Sequence, residues 1–170
     1  MTGAPQSSAN RISAAIQFSI NIAVLLGAYG FEILGGLAPC QLCYYQRAPY
    51  FLAILVCGVV WLRPAWTRNI SALLILIYFS SAALGLYHAG VEWKFWPGPA
   101  SCTAMGGYNL SVEELMAQIL AAPVVRCDEI PWSLFGISLA GYNALVSMGL
   151  LVAAAGTFMQ AIRIRNNGHV

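Results

Sequence analysis

Residues 70–87 read ISALLILIYFSSAALGLY, eighteen positions without a charged side chain. A helix rises 1.5 Å per residue, so about 20 such residues cross the roughly 30 Å of hydrocarbon in a bilayer. Three further stretches carry little or no charge, and together they predict spans at about 12–36, 44–62, 70–88 and 133–160. The second is short, but Arg47 near its start has a stem long enough to carry its charge out to the headgroups. Composition agrees: 59% of the 170 residues are hydrophobic and 8% charged, against about 25% charged in soluble domains. The expected fold is an all-α membrane protein, a four-transmembrane-helix bundle forming one integral membrane domain over residues 1–170, with residues 1–10 a polar tail.

Charge placement orients the bundle. An even number of crossings puts both termini on the side of the loop around 63–69, where Arg11, Arg63, Arg68, Arg163 and Arg165 meet no acid. The opposite side carries Arg47, Lys94 and Arg126 and, in or near it, Glu32, Glu92, Glu113, Glu114, Asp128 and Glu129. Lysine and arginine concentrate on the cytoplasmic side, so the outer loops are about 37–47 and 90–131. Tyr44, Tyr50, Trp61, Trp66, Trp93 and Trp132 fall near predicted span ends, where amphipathic rings settle.

The second outer loop, about forty residues long, far exceeds the 2 to 8 usual between bundle helices. Within it, Ser111-Val112-Glu113-Glu114 forms a capping box ahead of Leu115, Met116, Ile119 and Leu120. Those residues predict a short amphipathic helix lying on the membrane surface, or packed against the bundle end.

Four of the five cysteines, Cys40, Cys43, Cys102 and Cys127, fall in the outer loops and so face an oxidising compartment. A zinc site wants four ligands, usually in two short clusters, whereas Cys102 and Cys127 are single residues and His88 is the only outer-side histidine. No metal is therefore expected. A staple across Cys40-Gln41-Leu42-Cys43 closes too short a loop to stabilise much, which leaves a redox couple. Arg47 stands one turn beyond Cys43, and a helix N-terminus with a fixed cation beside it favours thiolate over thiol. A disulfide between Cys102 and Cys127 would close a long loop and add about 3 to 4 kcal/mol, yet both cysteines are expected in accessible polypeptide where a partner's thiolate can attack. Glu32, inside the first span, is a candidate by its position alone. Cys57 reads as a small buried hydrophobe.

Pro39-Cys40-x-x-Cys43-x-x-x-Arg47 in a first outer loop, His88 after the third span, and single cysteines at 102 and 127 in a long second loop together resemble the disulfide bond formation protein B (DsbB) family, from about residue 12 to 162. The resemblance implies a bacterial inner-membrane enzyme with both termini cytoplasmic. Such an enzyme reoxidises a periplasmic thioredoxin-fold dithiol oxidase (DsbA-like) and passes the electrons to ubiquinone or menaquinone. It implies that Cys102 forms the mixed disulfide, that Cys127 is its pair, and that Cys40 and Cys43 receive the electrons next. Cys43 would face the quinone as a thiolate, with Arg47 stabilising the charge and His88 at the ring's edge. A vitamin K epoxide reductase-like chain would carry its Cys-x-x-Cys near the last helix. A structural tetraspan with a disulfide-shaped loop is the alternative from another class.

Overall fold

The computed structural model describes residues 3–99, 102, 111, 113, 116 and 125–167. Its helices are α1 (Gly3–Ile33), α2 (Gln41–Leu62), α3 (Thr67–Glu92) and α4 (Leu139–Asn167), and a 3-10 turn, Pro64–Trp66, joins α2 to α3. All four are long and apolar enough to cross a membrane. Of the expected surface helix around residues 113–120, only Glu113 and Met116 are among the described residues, and both are helical.

The fourth helix begins at Leu139, six residues later than its span was expected to begin. Residues 133–138 instead make an antiparallel hairpin, β1 (Ser133–Leu134) with β2 (Ile137–Ser138), Ser133 facing Ser138 and Leu134 facing Ile137. Phe135 and Gly136 at its tip have φ of +50° and +76°. A type I′ two-residue hairpin needs positive φ at both central positions, and Gly136 supplies one of them without steric cost. Hydropathy alone cannot separate these apolar residues from the helix they precede.

Leu26, Leu55, Leu76, Phe79 and Val152 point outward, as a lipid-facing surface requires. Lipid tails are as apolar as leucine, so association rests on close packing and interhelical hydrogen bonds. The interior provides both. Tyr50, Ala53, Cys57, Leu74, Tyr78 and Ala154 are buried together, Cys57 as the small hydrophobe expected. Asn21 donates to the Tyr78 hydroxyl at 2.8 Å, while Ser147 joins Tyr50 and Ser81 at 2.8 Å each.

Helices α3 and α4 pack most closely. A Cβ placed on Gly85 would stand 2.9 Å from the Ala144 backbone nitrogen and 3.0 Å from its Cα, so the contact exists because Gly85 has no side chain. Gly85→Val should lower the thermal midpoint of the detergent-solubilised protein, reflecting an overpacking cost of about 1–3 kcal/mol. Gly58→Ala, whose added methyl meets nothing within 4 Å, should leave the midpoint in place or raise it.

Candidate active site

Cys40 sits where the extended chain after Pro39 turns into α2. It is the N-cap residue, with φ −75° and ψ 171°, and its Sγ accepts the Cys43 amide at 3.2 Å. That geometry brings the two sulfurs to 2.8 Å. Cys40 is buried and Cys43 half-buried. The hydrogen bond with the Cys43 sulfur, and then burial, push the Cys40 thiol above its ordinary range.

The second pair is seated on the first. Cys102 and Cys127 form a disulfide across 25 residues, with Cα atoms 5.6 Å apart. The pair shares an apolar cluster with Cys40, Leu42 and Val91. The sulfurs of Cys40, Cys102 and Cys127 all lie within 4.8 Å of one another. This corrects the expected accessibility of the long-loop pair: Cys102 is 6% exposed and Cys127 fully buried. The ends of α2 and α3 offer an apolar seat, and the disulfide fills it. Lys94 and Arg126 both bind the Asp128 carboxylate, at 2.5 and 2.8 Å. They hold it well below the usual carboxylate range and fix the chain beside Cys127.

Behind Cys40 lies a buried polar file. His88 Nε2 is 3.6 Å from the Cys40 sulfur, and its Nδ1 is 2.9 Å from the Gln46 amide nitrogen. One turn on, Glu92 Oε1 is 4.0 Å from the same Nε2. The other carboxylate oxygen accepts a short hydrogen bond from Ser138 Oγ. Ser138 precedes α4, and its oxygen accepts the Gly141 amide at 3.1 Å, so the hairpin that delays α4 also delivers this hydroxyl.

Arg47 is not a free headgroup anchor. Its guanidinium donates to Glu32 Oε2 at 2.6 Å, with the Tyr29 and Tyr44 ring centroids 4.6 and 5.2 Å from Cζ. The motif around Arg47 contains no acid, and the partner comes from α1, fifteen residues earlier. An ionisable residue inside a span generally seeks another, and that signal links Glu32 to Arg47. The signal for Glu92 is its i+4 spacing from His88, which the sequence reading did not use.

Cys43, Gln46, Arg47, His88 and Glu92 line a cavity of about 230 Å³, walled by Leu25, Ala28, Phe31 and Val146 among others. An apolar cavity near 150 Å³ already admits a benzene ring, so there is room here for one substituted ring. The cavity matches the usual ligand site in being mostly apolar with a few convergent polar groups. Cys40, Cys43 and His88 also place their ligand atoms within 4.8 Å, but two sulfurs on one tetrahedral zinc, each about 2.3 Å from it, stand roughly 3.8 Å apart. The observed 2.8 Å is closer than a shared zinc would leave them.

The family model of the disulfide bond formation protein DsbB matches residues 10–157. Disulfide bond formation protein B 2 of Pseudomonas syringae pv. syringae (strain B728a) is 32% identical over 148 residues, 78% of this chain and 79% of that one. Disulfide bond formation protein B of Shewanella sp. (strain MR-4) is 28% identical over 158 residues, 90% and 89% of the two chains. An uncharacterised protein of Rickettsia prowazekii (strain Madrid E) is 27% identical over 139 residues, 81% of each. No solved structure matches.

With the Cys40–Cys43 pair reduced in folded protein, a small alkylating reagent should label Cys43 before Cys40 and leave Cys57 unlabelled, as mass spectrometry of the peptides can show. Thiolate is the reacting form. Because Cys40 holds its proton above the ordinary thiol range, its labelling rate should keep rising with pH beyond about 8.5, where an ordinary thiol begins to level off.

Proposed function

The chain belongs to the DsbB family, membrane oxidoreductases of disulfide bond formation, and from that premise we propose that it reoxidises a periplasmic DsbA-like dithiol oxidase and hands the electrons to a membrane quinone. The observation that carries this reading is the approach of Cys40 to both sulfurs of the Cys102–Cys127 disulfide, within 4.8 Å. Thiol–disulfide exchange is in-line attack of a thiolate on a bonded sulfur, and it needs just such an approach.

The electrons then move by exchanges that conserve every bond. A partner thiolate attacks Cys102 and Cys127 leaves as thiolate; the partner's second thiol resolves the mixed disulfide and departs oxidised. With Cys40 and Cys43 bonded at that stage, Cys127 attacks Cys40 and releases Cys43 as thiolate. Cys102 then closes back onto Cys127 and frees Cys40. The arrangement described above, with Cys102–Cys127 bonded and Cys40 and Cys43 free, corresponds to the product of that internal transfer. Because Cys102 is buried, a partner must displace the disulfide from its apolar seat to reach it, which confines exchange to a docked partner.

Ubiquinone or menaquinone would supply a two-electron, two-proton acceptor. The cavity suits such a ring: apolar walls, Cys43 on one side, and Arg47 and His88 as polar groups at its margin. Arg47 stabilises negative charge at Cys43, and Glu32 with the two tyrosines fixes its position. Helices α1 and α4 touch only sparingly, and a lipid-borne ring can pass between them. On this reading the enzyme lies in the bacterial inner membrane as a single integral domain. Its termini are cytoplasmic, in line with the acid-free arginines at that end.

Two variants test the route. Cys127→Ser should capture the oxidised partner through Cys102, whose thiolate attacks the partner's disulfide to leave a mixed disulfide and one partner thiol, visible as a thiol-sensitive band on a gel. Cys43→Ser should abolish reduction of added short-chain quinone by partner dithiol, a loss of at least about 10³-fold given that the thiolate is the reacting form. Undiminished quinone reduction in Cys43→Ser would refute the route. A metal-binding role for Cys40, Cys43 and His88 would instead show as stoichiometric zinc in reduced, chelator-free protein.

A further inference from the structure

The proposed exchange chemistry leaves protons unassigned. Forming one disulfide from Cys40 and Cys43 releases two protons, and the reduced carrier takes up two. Among the described residues, the groups bordering this path are all deeply buried: Cys40, Gln46, His88, Glu92 and Ser138 are each at most 7% exposed. A carboxyl group so placed is costly to ionise unless it is partnered. The pair Glu92 and Ser138 lies outside the motif that defines the site.

We propose that Glu92 is the proton carrier between the Cys40 thiol and the carrier cavity, receiving the proton through His88 and held in position by Ser138. The inference rests on the thiol-to-quinone reading above.

The atoms divide the work. Ser138 Oγ already accepts the Gly141 amide, so its hydrogen is committed to Glu92 Oε2. That leaves Oε1, the oxygen facing His88 at 4.0 Å, to gain and lose the proton. The same His88 Nε2 is 3.6 Å from the Cys40 sulfur, so one ring nitrogen reaches both groups. Gln46 serves either ring tautomer: its nitrogen donates to a bare Nδ1, or its oxygen, after a half-turn of the amide, accepts from Nδ1–H and leaves Nε2 free to accept. Glu92 also borders the cavity that Cys43 and Arg47 line.

The step balances as follows. The Cys40 S–H bond breaks as the Cys40–Cys43 bond forms, and two electrons pass to the quinone. The Cys40 proton goes to Nε2, then to Oε1, then to a quinone oxygen. The second proton left the partner's dithiol for water when its attacking thiol ionised, since Cys43 is released as a thiolate, and the other quinone oxygen takes up its equivalent from water. The ionisable groups that share the cavity lining with Glu92 are His88 on its own helix, Cys43, Arg47 and Tyr50 from α2, and Tyr142 from α4, with Cys40 reached through His88. Any pH profile therefore reports this set together.

The test is an infrared difference spectrum between the disulfide and dithiol forms of the Cys40–Cys43 pair, taken on full-length protein without quinone or partner. Wild type should show a carboxylic-acid carbonyl band that shifts in heavy water, and Glu92→Gln should lack it. In the same variant, quinone reduction by the preformed dithiol should slow by on the order of 10²-fold, the range of general acid–base catalysis, and Glu92→Asp should recover part of the rate. Absence of the band from wild type, or its persistence in Glu92→Gln, would overturn the assignment. Because the spectrum needs no quinone, it separates this inference from the electron route, whose own failure would show in Cys43→Ser.

Discussion

Everything at this end of the molecule depends on one close approach: the Cys102–Cys127 disulfide rests on the N-terminus of α2, within 4.8 Å of Cys40. Two constraints produce it. Pro39 and the N-cap geometry fix Cys40 at the helix mouth, where its sulfur accepts an amide hydrogen bond. The apolar ends of α2 and α3, with Leu42 and Val91, then seat the second pair. Neither constraint involves the chemistry of the partner or the carrier. The sulfurs are placed by capping and burial, and their reactivity follows from that placement.

The bundle below is built to keep that end rigid. Small residues let α3 and α4 meet at backbone distance, and hydroxyl and amide side chains link helices across the interior. Among the described residues, Arg47, Glu32 and Glu92 enter the apolar region, and each is matched locally. Glu32 answers Arg47, and Ser138 and His88 attend Glu92. In hydrocarbon an unmatched charge is expensive, so each pairing constrains where α1, α3 and the hairpin stand relative to α2.

Much of this was legible in the sequence. Runs with little or no charge predicted four spans, and three-residue spacing at a helix start put Cys40 and Cys43 together. What escaped was contact between residues distant in the chain. Glu32 and Arg47 are fifteen positions apart on different helices, and Glu92 and Ser138 are forty-six apart; periodicity carries no information about either. The hairpin before α4 was absorbed into the span because its residues are as apolar as those of the helix. The long-loop cysteines read as accessible because their neighbours Pro97, Gly98 and Asp128 are loop formers, while the surface that buries them belongs to α2 and α3.

The most direct measurement of the central claim is disulfide capture between the two pairs. In protein carrying Cys43→Ser and Cys102→Ser, mild oxidation should join Cys40 to Cys127 within one chain, found as a linked peptide by mass spectrometry after digestion. If Cys40 instead stayed free to alkylate while Cys127 paired only between molecules, the close approach on which the account rests would be contradicted.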